Sequence, residues 1–127
     1  MGYERLRVAK PMKQLIKAME LHTRHIAREN REQWREAKNV LYRCFGNLIR
    51  AAEVWDSDKK NGYLLAFLDD FAVFRGMMQI ISETKIVSIK KASEIGLYSA
   101  DIRKQVAGWA KEIAREPVSP RLDGESI

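Results

Sequence analysis

Four segments of this chain repeat their apolar residues at intervals of three and four, the period of an α-helix with one buried face. The second segment is the longest run and covers about six helical turns, with Trp34, Ala37, Leu41, Cys44, Phe45, Leu48, Ala52 and Trp55. A chain of 127 residues supports one core rather than two. Because consecutive helices with short connections pack as neighbours, the pattern predicts an all-α fold, an antiparallel up-and-down four-helix bundle.

The first two helices are predicted to meet near residue 30. The first is expected to run from about residue 10 to 27, with Pro11 in its first turn, where a missing N–H costs nothing. Asn30, followed three residues later by Gln33, is a candidate cap for the second. Residues 27–31 contain neither Pro nor Gly, so the alternative of one merged helix stays open.

The clearest turn signal covers residues 56–62, which read Asp-Ser-Asp-Lys-Lys-Asn-Gly. The third helix is therefore expected to follow it, with Leu64 as its first core residue and an end near residues 82–85. Ser88 is placed to cap the fourth helix. Gly46 and Gly76 lie in helix interiors, and close approach of neighbouring helices would explain them.

The boundaries follow from these helices. We expect one domain over residues 1–115 and a disordered tail over residues 116–127, which contains two prolines and a glycine. The first residues show no apolar signal-peptide region, and no apolar stretch is long enough to cross a bilayer. We therefore expect a cytoplasmic protein without a membrane partner.

The charge of the chain is unevenly distributed. Residues 1–60 contain 14 Lys and Arg against 8 Asp and Glu, whereas residues 61–127 contain 9 of each. The whole net charge of +6 therefore belongs to the first half. Clustered positive charge attracts phosphates and speeds their encounter, so this half predicts an anionic partner.

The cations of the first helix form a stripe. At about 100° per residue, its core residues fall within about 60° of Met12, while its basic residues fall between about 100° and 160°. The basic residues are Lys10, Lys13, Lys17, Arg24 and Arg28. Only Glu20 interrupts them, near the edge. These residues are predicted to contact nucleic-acid phosphates, without much sequence specificity.

A second set of phosphate-contact candidates lies further along the chain. It comprises Arg31, Arg35, Arg43, Arg50 and Arg75. Arg43 and Arg50 point away from the apolar stripe of the second helix, and Arg31, Arg35 and Lys38 flank its edge.

The chain offers little for catalysis or metal binding. A di-metal bundle needs an acidic residue three positions before each metal-binding histidine, but Met19 precedes His22 and His22 precedes His25 at that spacing. The Asp pair in residues 67–70 resembles a polymerase palm motif, yet it falls in a helical pattern of a small chain. Cys44 lies on the apolar stripe, where we expect an inert core thiol. We expect no enzyme activity, no cofactor and no metal.

The second half of the chain resembles a known family. Residues 71–78 (FAVFRGMM), residues 88–91 (SIKK), Ile102 and residues 108–111 (GWAK) match, without gaps, the second half of the accessory variability determinant (Avd) proteins of diversity-generating retroelements. Residues 48–52 resemble the end of the family's second helix. The resemblance covers about residues 37–113, with most of its weight in 71–112.

One position departs from the family pattern. Avd proteins often have a second arginine one turn after the position of Arg75, and this chain has Gln79 there. No contact of that second arginine is therefore carried over.

The resemblance implies a four-helix bundle that assembles into a homopentameric barrel with a basic surface. It also implies a non-enzymatic accessory role in mutagenic retrohoming, with a reverse transcriptase, its template RNA and cDNA as partners. Two alternatives remain open. One is an RNA-binding bundle of the kind encoded in ribosomal RNA intervening sequences, and the other is a helical module for protein interaction. We expect oligomerisation because Trp34, Tyr63 or Leu97 would otherwise stay exposed.

Overall fold

Each of the four predicted helices is present in the computed structural model, which describes residue 3 and residues 6–115. The four are α1 (Ala9–His22), α2 (Arg31–Glu53), α3 (Ser57–Glu83) and α4 (Ile89–Arg115). Two short 3-10 turns, Thr23–His25 and Arg28–Asn30, join α1 to α2, and these described residues contain no strand. The all-α prediction is confirmed. Residues 116–127, predicted to be a disordered tail, lie outside the described residues.

The prediction that the first helix reaches residue 27 is wrong, because α1 ends at His22. The Thr23 hydroxyl donates to the carbonyl of Met19 at 3.0 Å and so occupies an acceptor at the helix end. The backbone is then extended at Ile26, with ψ 129°, and at Ala27, with ψ 143°. The helices α1 and α2 are therefore separate, although no Pro or Gly divides them.

The start of α2 lies where the sequence placed it, but the expected cap is not formed. Asn30 occupies the cap position without a side-chain hydrogen bond. Arg31 instead connects α2 to the preceding segment, since its Nε donates to the carbonyl of Ile26 at 3.2 Å.

The turn predicted over residues 56–62 is also shorter than expected, because α3 already begins at Ser57. The Asp56 carboxylate accepts hydrogen bonds from the backbone N–H groups of Asp58, at 2.8 Å, and Lys59, at 3.3 Å. These bonds satisfy two of the N–H groups that a helix start leaves unpaired. The polar cluster is thus a helix cap followed by a first helical turn.

The connection from α3 to α4 agrees with the sequence. The helix α3 ends at Glu83, and Lys85 adopts a left-handed conformation with φ 62°. The N–H of Ile86 closes this turn on the carbonyl of Ile81 at 3.0 Å. The Ser88 hydroxyl accepts from the N–H of Lys91 at 3.1 Å, which confirms the predicted cap of α4.

One hydrophobic core joins all four helices, and the pairs α1 with α2, α2 with α3, α3 with α4 and α1 with α4 are in contact. The largest buried side chain is Trp34, which is 1% exposed. The expectation that Trp34 is exposed is therefore wrong, whereas Leu97 is 76% exposed as predicted and Tyr63 is half-buried. Cys44 is fully buried, and burial raises the pKa of its thiol to about 12.

Close helix packing does not explain the two central glycines. A Cβ at Gly76 would meet no heavy atom within 4 Å, and the atoms nearest to a Cβ at Gly46 belong to the Arg50 side chain of its own helix. A helix-interior glycine costs about 1 kcal/mol relative to alanine. The space beside Gly76 is open.

None of the helices in the described part of the chain combines the length and apolar character that a membrane span requires.

Candidate nucleic-acid interface

Three lysines share the face of α1 that lies opposite its buried residues. Lys10, Lys13 and Lys17 are spaced by three and four residues, and the helix is continuous across all three. Lys10 and Lys17 are exposed, while Lys13 is half-buried and its Nζ lies 5.2 Å from the centroid of the Tyr3 ring. Within the described residues, no carboxylate forms an ion pair with any of the three. We call these three residues the lysine stripe.

The carboxylate that interrupts this face in the sequence is engaged by α2. Glu20 accepts hydrogen bonds from Lys38 Nζ, at 2.9 Å, and from the Tyr42 hydroxyl. The Tyr42 and Lys38 bonds lower the pKa of Glu20, and the bond to Glu20 raises the pKa of Tyr42. Glu20 is therefore paired with residues of α2 and not with the lysine stripe.

Arg24 and Arg28 lie beyond the end of α1, so the helical period no longer aligns them with the lysine stripe. Arg24 is in the first 3-10 turn and donates through Nε to Nε2 of His25 at 3.4 Å. Arg28 begins the second 3-10 turn, and both arginines are exposed. They follow α1 directly along the chain, and neither forms an ion pair with a described carboxylate.

The two histidines lie side by side at this end of the molecule. Their ring centroids are 5.3 Å apart, and the ring of Trp34 lies 5.7 Å from that of His22. Burial, followed by the positive charges of Lys91 and His25, lowers the pKa of His22. The neutral form of His22 is therefore favoured. The described residues contain no group of three or more His, Cys, Asp or Glu side chains placed to hold a metal ion.

The arginines of α2 divide into two groups. Arg35 pairs with Glu32 at 3.2 Å and Arg43 pairs with Asp70 at 3.6 Å, so a phosphate would have to compete with these carboxylates. Arg31 donates to a backbone carbonyl, as described above. Arg50 donates to the Asn47 side chain at 3.5 Å and is exposed.

No family model, curated protein or solved structure matches this chain. The resemblance to Avd proteins therefore stays a prediction that rests on the residues quoted for it.

Arg75 belongs to a different surface from the other candidates. It lines a groove between α3 and α4 together with Arg103, which sequence reasoning missed. No sequence motif surrounds Arg103. It reaches the same groove because α4, which carries it, packs beside α3, which carries Arg75. Sequence reasoning also missed that Lys38 and Tyr42 share Glu20, because that contact joins two helices.

Proposed function

We propose that this chain is a non-enzymatic, nucleic-acid-binding accessory protein of the Avd type. In this role it binds the reverse transcriptase of a diversity-generating retroelement, together with its template RNA and cDNA, and supports mutagenic retrohoming in the cytoplasm. The reaction belongs to the polymerase, and this chain supplies a basic surface.

The observation that carries this proposal is the lysine stripe. Three cations on one rigid helical face lack carboxylate partners among the described residues, and the nearest acid on the same helix, Glu20, is bound by α2. Solvent-exposed helix faces commonly carry acidic residues interleaved with the basic ones. A row of cations without such neighbours favours a ligand with regularly spaced phosphates.

We further propose that the bundle is antiparallel and assembles as a pentamer. Hydrogen bonds join the end of α1 to the early part of α2, from Lys38 to Glu20, and the end of α2 to the start of α3, from Lys60 to the carbonyl of Ala51. Such pairs are expected when consecutive helices reverse direction. Exposed apolar side chains such as Leu97, at 76%, and Ile89, at 85%, support self-association.

Salt dependence tests the nucleic-acid role. The lysine stripe together with Arg24 and Arg28 provides five phosphate contacts. With a single strand, five contacts predict a slope of about −3.5 for the logarithm of affinity against the logarithm of salt concentration. RNA affinity should therefore fall roughly 100-fold between about 50 and 200 mM KCl. Fluorescence anisotropy with a labelled oligouridylate and a mixed-sequence RNA of equal length measures it. A slope near zero, or a strong preference for one sequence, would contradict the proposal.

Sedimentation tests the assembly. A pentamer has five times the 14.7 kDa chain mass, about 74 kDa. We expect this species at micromolar concentration in analytical ultracentrifugation. A monomer under those conditions would rule out the barrel and remove most of the support that the Avd resemblance provides.

A further inference from the structure

A groove with a cavity volume of about 650 Å³ runs between the outer surfaces of α3 and α4. Apolar residues contribute much of its lining: Leu68, Ala72 and Ala92 are at least partly exposed, while Phe71, Met78 and Ile95 are buried. It extends over α4 from Ala92 to Arg103, a length of roughly 16 Å at the rise of an α-helix. This length matches about three turns of a helix laid along it.

The groove is positively charged at its edges. Arg75 of α3 and Arg103 of α4 both line it, and neither forms an ion pair within the described part of the chain. Glu83, the one acid among the described residues that line it, accepts a hydrogen bond from Gln79 at 3.1 Å. The groove thus combines an apolar floor with two guanidinium groups that have no carboxylate.

The glycines in the walls of the groove leave room for the backbone of a bound partner. Gly76 on α3 and Gly96 on α4 both line it, and a Cβ at either position would meet no heavy atom within 4 Å. The packing of this chain therefore makes no use of the space beside them.

We propose that this groove docks an amphipathic helix of a protein partner whose apolar stripe is flanked by Asp or Glu. The apolar side chains of such a helix would pack on Leu68, Ala72 and Ala92, in the way that helices occupy hydrophobic grooves elsewhere. Its carboxylates would pair with Arg75 and Arg103, since the planar guanidinium binds carboxylates through two hydrogen bonds.

The lining fits such a helix better than it fits RNA. Base recognition on single strands relies on exposed aromatic rings, and Phe71, the aromatic residue of this lining, is 1% exposed. Covering Leu68, Ala72 and Ala92 with the aliphatic side chains of a partner removes apolar surface from water, whereas a phosphate backbone gives no such gain. The inference goes beyond the proposed function and uses none of the residues of the lysine stripe.

Peptide display provides the test. A phage library of helical peptides, with leucines fixed on one face and the flanking positions randomised, is selected against the folded chain. We expect the enriched peptides to carry Asp and Glu at the flanks. The Arg103→Glu variant should weaken binding of the synthesised peptide by about 10-fold or more. Lys104→Glu, an exposed change at the next residue and outside the groove, should alter it by less than about twofold.

A second pair of variants tests the space without changing charge. Gly96→Phe fills the groove, whereas Gly108→Phe adds the same ring to open space on the same helix, outside the groove. Only the first should abolish peptide binding, with helical content unchanged by circular dichroism. Selection of basic flanks, no enrichment, or equal effects of paired variants would overturn the proposal. If oligouridylate instead displaces the peptide from the unchanged chain and fails to bind the Arg103→Glu variant, that result would assign the groove to RNA.

Discussion

Reversing the charge of Lys13, Lys17 and Arg24 to Glu is expected to weaken RNA binding by about 3 kcal/mol or more at low salt, roughly 100-fold. Each change removes one phosphate contact and places a repulsive charge there. None of the three side chains pairs with a described carboxylate, so the substitutions break no ion pair. The salt slope should also fall by about 2, since three contacts are lost. Anisotropy measurements across a salt series give both quantities.

A matched control separates the lysine stripe from net charge. The triple variant Lys90, Lys104 and Lys111 to Glu changes the net charge equally, and all three lysines are exposed on α4. It should retain RNA affinity within a few-fold, because its charges lie on another helix. If both triple variants lose affinity equally, the assignment of phosphate contacts to α1 and the turn after it is wrong. Circular dichroism of each variant should show unchanged helical content.

The second large effect concerns stability. Replacing Trp34 by Ala should lower the free energy of unfolding by about 3–5 kcal/mol, as for other buried aromatic residues. The side chain is 1% exposed, and its Nε1–H donates to the carbonyl of Met19 and to the Thr23 hydroxyl, both at 3.1 Å. The substitution therefore removes core packing and the bonds that hold the end of α1 against α2. Urea unfolding followed by circular dichroism measures the loss.

Two further variants make this prediction decisive. Trp34→Phe keeps a buried ring and removes the N–H donor, so it should cost less than the alanine change but more than about 1 kcal/mol. It also remains measurable if Trp34→Ala does not fold. Trp55 is 92% exposed, and Trp55→Ala should change stability by less than about 0.5 kcal/mol. Equal losses at Trp34 and Trp55 would contradict the packing described above.

The period of apolar residues was enough to predict four helices and most of their core. Hydrophobic burial requires one face of each helix to be apolar, and that requirement can be read from local spacing. Local chemistry likewise identified the Ser88 cap and the buried Cys44, because each depends on residues a few positions away. The lysine spacing on α1 needed no more than the helix itself.

Contacts between helices decided the rest. The helix α1 ends at His22 because Thr23 and Trp34 both donate to the carbonyl of Met19, and Trp34 is 15 residues further along the chain. Tertiary pairing also determined which cations keep their charge available, since Glu20 binds α2 and Arg43 binds Asp70 of α3. The groove that contains Arg75 and Arg103 exists only because α3 packs beside α4. A linear sequence specifies which residues one helix presents, but not which residues of another helix they meet.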